Sequence, residues 1–140
     1  MWREFISKID CELTFNQSAS IESINAAEIE LKVQFPQSLK SLLLESNGVQ
    51  DEFECDAIWP LERIIEENKN IRIIEEQITF NGFLLFSDAG NGDLFAFSIK
   101  DGNKNKEEIY VWNHEDKSRD IISSSLKDFI KGWFEGIISI

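Results

Sequence analysis

The sequence contains one histidine, His114, so a Ser-His-Asp or Cys-His arrangement would have to use it. It is followed by Glu115 and Asp116 just past a strand-like run, which reads as an exposed turn. A structural or surface role is therefore expected for it. Cys11, Cys55 and His114 are scattered and lack the close ligand pairs of a zinc site. Asp88, Asn91 and Asp93 bring two carboxylates and an amide close together, which is donor chemistry for a hard cation. Calcium needs about six to eight oxygens, and this stretch lacks the alternating spacing and closing Glu of a calcium loop. Gly90-x-Gly92 is followed by Leu94 and Phe95 and leads into a strand, so no helix N-terminus is offered to a phosphate. The paired carboxylates Glu66-Glu67, Glu75-Glu76, Glu107-Glu108 and Glu115-Asp116 read as solvated faces. General acid–base catalysis requires two carboxyls placed across a cleft, not side by side in the chain. No catalytic residue, metal or cofactor is expected.

Charge points to binding. Fourteen Lys and Arg face 26 Asp and Glu, a formal net charge of −12. A field of that sign repels nucleic acid and anionic membranes and speeds encounter with a basic partner. Solubility alone is the plainer use of the same charge. Aromatic residues do not interleave with basic ones, which disfavours a stacking platform for single-stranded nucleic acid.

The chain of 140 residues suits one domain, spanning 1–140, and 11 Phe with 4 Trp supply enough apolar bulk for a core. No apolar run approaches the ~20 residues of a membrane helix. The opening MWREFISKID lacks a continuous apolar stretch, so no secretory signal is expected. The two cysteines are then expected as reduced thiols of a cytoplasmic protein.

Periodicity places the elements. Trp2, Phe5, Ile6 and Ile9 predict a short opening helix. Leu13 and Phe15 suggest a short strand. Ile21, Ile24, Ala27 and Leu31 predict a second helix, capped from Ser18–Ser20. Pro36 opens a third, with Leu39, Leu42 and Leu43 inward and Asn47-Gly48 as its stop. Ala57-Ile58-Trp59 reads as a strand, and Pro60 opens a helix carrying Leu61, Ile64, Ile65 and Asn68. Ile71, Ile73, Ile74 and Ile78 fit no period cleanly. Phe83 to Phe86 reads as a strand covered on both faces. Leu94–Ile99 and Ile109–Trp112 alternate and are joined by a loop containing Asp101-Gly102, which predicts a hairpin. Ile121-Ile122 suggests one more edge. Ser125 and Asp128 have capping-box spacing ahead of Leu126, Phe129, Ile130, Trp133 and Ile137. Helices towards both ends and an antiparallel sheet between them predict an α+β fold.

Several stretches together resemble the SUKH superfamily, which includes yeast cell-wall synthesis regulators and bacterial immunity proteins. "VQFPQSLKSLLLESNG" is similar to its Leu-Pro helix signature, with Phe35-Pro36 at the Leu-Pro position, Leu43 within the helix, and Asn47-Gly48 at the stop. Trp59 ahead of a helix, Gly92-Asp93 between two strands, Trp112 and His114 ending a strand, and Leu126 with Phe129 in the last helix complete the series. The resemblance spans residues 18–135 and implies a mainly antiparallel mixed sheet flanked by helices. The family often has a Tyr in the helix after Pro36, where this chain has Leu39 and Ser41 nearby.

The resemblance implies a role by analogy: stoichiometric neutralisation of a cognate toxin, often a nuclease, whose active surface is expected to be basic. Candidate contacts are Asp51, Glu52, Glu54 and Asp56 in one acidic stretch and Asp88 and Asp93 in another. Gly92-Asp93 also has a structural explanation, since Gly supplies positive φ and Asp bonds local backbone in turns. A regulatory interaction module and a small carboxylate-dependent hydrolase are the alternatives. Oligomeric state is left open.

Overall fold

The computed structural model describes residues 1–10, 12–74, 82–99, 107–116 and 118–138, with backbone only at 72–74. The elements run α1 (Trp2–Ile9), β1 (Thr14–Phe15), α2 (Ile21–Leu31), α3 (Gln37–Glu45), β2 (Val49–Gln50), β3 (Asp56–Ile58) and α4 (Leu61–Ile74). They continue with β4 (Phe83–Asp88), β5 (Leu94–Ser98), β6 (Ile109–Trp112), β7 (Arg119–Ser123) and α5 (Leu126–Phe134). The class is α+β. The strands form a three-stranded sheet, β1-β2-β3, and a four-stranded meander, β4-β5-β6-β7. Every described pairing is antiparallel. The sheets meet at β3 and β4, where Trp59 N–H donates to the Phe86 carbonyl and Ser87 Oγ to that of Ala57. Cys11, Glu75-Glu76, Ile78 and Asp101-Gly102 lie outside the described residues.

The core follows from the strand register. Leu84, Phe97 and Ile109 are cross-strand neighbours on one face of the meander. Successive side chains alternate faces, so this face presents a continuous apolar surface to α5. Phe129 of α5 meets Phe95 at 4.7 Å and Phe86 at 5.6 Å between ring centroids, and Trp133 meets Phe95 at 5.0 Å. These edge-on contacts suit aromatic quadrupoles. Asn68 on α4 is buried and fully used: its amide donates to the carbonyls of Ile64 and Leu85 and accepts from Leu85 N–H. It pins α4 to β4 beside the irregularity between Leu85 and Ser87.

Three local expectations change. The helix stop is not made by Asn47-Gly48 as a left-handed cap. The α3 helix closes at Ser46, whose backbone is extended, and its hydroxyl donates to the Gly48 carbonyl. Asn47 instead accepts from Leu61 N–H at 2.7 Å and so caps α4 from across the fold. Gly48, at φ +90°, lies where a Cβ would come within 2.8 Å of Pro60 N. Glu107 is not part of a solvated pair: its carboxylate accepts from Ser38 Oγ at 2.6 Å and from Ser38 N–H, neutralising the start of α3. The capping box at α5 is one-sided. Ser125 Oγ accepts from Asp128 N–H, while the Asp128 carboxylate accepts from Ser124 Oγ.

Candidate functional site

The two acidic stretches are treated differently by the fold. The first forms the connection between β2 and β3. Asp51 N–H donates to the Cys55 carbonyl at 2.9 Å, and Glu54 N–H donates to that of Asp51. The Asp51 carboxylate then accepts from Phe53 N–H at 2.8 Å and Cys55 N–H at 3.0 Å. Asp51 therefore folds the loop, as a short acceptor side chain does in a turn. Glu52, Phe53, Glu54 and Cys55 are left exposed at the tip. Glu54 adopts φ +63°, a left-handed conformation uncommon outside glycine. Across from the tip stands Glu12. A hydrogen bond and repulsion between Glu12 and Glu52, with weaker repulsion from Asp10 and Asp51, push the Glu52 carboxyl above its ordinary range.

Asp56 and Asp88 come from the two separate stretches, and the structure brings them together at Arg63. The guanidinium reaches Asp56 and Asp88 at 3.1 Å each and Glu67 at 3.6 Å. It also lies 4.7 Å from the Trp59 ring centroid, a cation–π distance. Trp59 is fully buried, and its indole N–H has no hydrogen-bond partner among the described residues. Arg63 thus ties the β2–β3 stretch to the end of β4. Its importance was not legible in the sequence: only the four-residue spacings to Trp59 and Glu67 hint at one helix face.

Asp93 faces inward. It is 5% exposed, and one carboxylate oxygen accepts from His114 N–H at 3.0 Å and meets His114 Nδ1 at 2.5 Å. Burial pushes its carboxyl upward, but the hydrogen bonds and charge of His114 and a bond to Asn91 outweigh this and hold it below the ordinary range. Gly92, at φ +104°, leaves the imidazole room: a Cβ there would stand 3.0 Å from the His114 ring. Gly92, Asp93 and His114 are one unit that docks the β4–β5 loop on the end of β6. An Asp that orients a half-exposed His is also the back half of a catalytic triad. No hydrogen bond from Ser, Thr or Cys to His114 Nε2 is found among the described residues.

Among the described residues, no group of three or more His, Cys, Asp or Glu is arranged to hold a metal ion. No helix among them is long and apolar enough to cross a membrane. Of the motif residues, Phe35, Trp59, Trp112 and Phe129 are buried. Pro36 precedes α3 as its N-cap.

The class defined by this geometry is a small α+β domain whose buried polar groups hold loops in place while one acidic loop tip stays open. The chain belongs to the SMI1 / KNR4 family (SUKH-1), whose family model matches residues 18–132. The match runs from just before α2 into α5, so α1 lies outside it. The family includes toxin-immunity proteins and SMI1/KNR4-like regulators and is generally non-enzymatic. No curated protein matches the chain at a significant level.

Proposed function

We propose that this chain is an immunity-type protein that binds a cognate toxin, of nuclease type, one to one in the cytoplasm and neutralises it by covering a basic surface. The observation that carries the reading is the open acidic tip at Glu52 and Glu54, on a protein of net charge −12. Asp56 and Asp88 are already paired with Arg63, and Asp93 with His114. They shape the loops, which leaves Glu52 and Glu54 as the direct contacts. Complementary charge of this kind raises association rates and selects the partner.

The test is co-expression with the toxin whose gene adjoins this one. Cells should survive the toxin only with this chain present, and the purified pair should elute as a one-to-one complex. A toxin that still kills and does not co-elute sinks the reading. The matched family's own name supports a second reading, a regulatory interaction module. A gene neighbourhood without a toxin favours it. Asp56, Glu67 and Asp88 converge on Arg63 instead of facing one another across a cleft, which speaks against these three as the carboxylates of the hydrolase alternative.

A further inference from the structure

Phe53 stands at the tip of the β2–β3 connection with 76% of its surface exposed. The other described aromatic side chains are buried or half-buried. An exposed benzyl group gains nothing from water, since about 25 cal/mol is forgone for each Å² of apolar surface left uncovered. Its position is not slack. The Asp51 carboxylate holds Phe53 N–H and Cys55 N–H, and two backbone hydrogen bonds close the loop. The backbone that carries the aromatic is therefore held in a set conformation, which lowers the entropy lost on binding. Glu52 and Glu54 flank it, and Asp10 and Glu12 lie near enough to raise the Glu52 carboxyl.

We infer that Phe53 is the anchor of the partner interface: it enters an apolar pocket rimmed by Lys and Arg on the toxin, and Glu52 and Glu54 pair with that rim. This rests on the toxin-binding reading above and names the part of the surface that does the work. Charge complementarity selects the occupant. A second copy of this chain would bring like-charged tips together, and an anionic membrane would be repelled. A basic protein surface instead relieves the repulsion around Glu52. A buried aromatic inside a polar rim is the usual arrangement of a binding hot spot.

The experiment titrates the purified toxin domain encoded beside this gene with wild type, Phe53→Ala, Phe53→Trp and the pair Glu52→Gln with Glu54→Gln. Phe53→Ala is expected to weaken binding at least about tenfold, mainly through faster dissociation, while Phe53→Trp stays close to wild type. The double Gln variant is expected to slow association and flatten its salt dependence. Thermal melts of the two Phe53 variants should match wild type, because the exposed ring is not part of the core. Wild type that binds while Phe53→Ala binds equally well overturns the anchor and leaves the toxin-binding reading standing. Wild type that does not bind overturns both.

Discussion

Asp93 carries the sharpest consequence of a single residue. Its carboxylate is buried and serves both His114 N–H and the imidazole. Removing it strands a backbone donor, so Asp93→Ala should cost about 1–3 kcal/mol of folding stability. The pH dependence has a definite sign. The folded-state carboxyl is held below its unfolded value. Its contribution is therefore complete above the unfolded pKa and fades as pH falls through the folded one. Chemical denaturation of wild type and Asp93→Ala should show the full difference near neutrality and a shrinking one below about pH 4. A difference constant down to strongly acidic pH would remove the ionised carboxylate from the account.

Element ends separate two positive-φ backbone positions, one held by Lys and one by Gly. Lys32 ends α2 at φ 59°, and Gly48 follows α3 at φ +90°. At Lys32 a side chain is accepted at a conformational cost, and glycine is the usual residue there. Lys32→Gly should raise stability by about 1 kcal/mol. At Gly48 both φ and space forbid a side chain, because the obstacle is backbone of Ile58 and Pro60 within 2.9 Å. Gly48→Ala should cost about 2–3 kcal/mol, as it would separate α3 from the start of α4. Thermal melts check both. Opposite signs are expected, and equal small effects would contradict the argument.

At the scale of the whole molecule, net charge −12 sets how a partner arrives more than how tightly it stays. Raising ionic strength from about 0.05 M to about 0.5 M shortens the Debye length from about 14 Å to about 4 Å. Association with the proposed toxin partner should slow about tenfold or more over that range, with a much smaller change in dissociation. Stopped-flow measurement checks this, and a salt-independent association rate would remove the electrostatic part of the proposal. The N-terminal helix adds to the family's matched region without adding to this field. It docks through Trp2 Nε1 to Ser41 Oγ at 2.7 Å and through backbone N–H groups of Trp2 and Arg3 to Glu45.

Sequence by itself determined the features that repeat at short range. Periodicity placed α1, α2, α3, α5 and strands β5 and β6, because side chains return to the same face every 3.6 residues in a helix and every 2 in a strand, and β4 showed as a continuous apolar run. The motif series at Phe35-Pro36, Asn47-Gly48, Gly92-Asp93 and Phe129 identified the family, because each residue meets a backbone or packing need that few others meet. Two-residue β2 was too short to show a period. The site was less legible for the same kind of reason. Sequence placed Asp51, Glu52, Glu54, Asp56, Asp88 and Asp93 together as candidate contacts, since all are acidic and lie in loops. Only the tertiary structure separated them, by supplying Arg63 to Asp56 and Asp88, His114 to Asp93, and the turn's own backbone to Asp51. What a carboxylate does depends on which cation or N–H the fold brings within about 3 Å, and long-range chain geometry decides that.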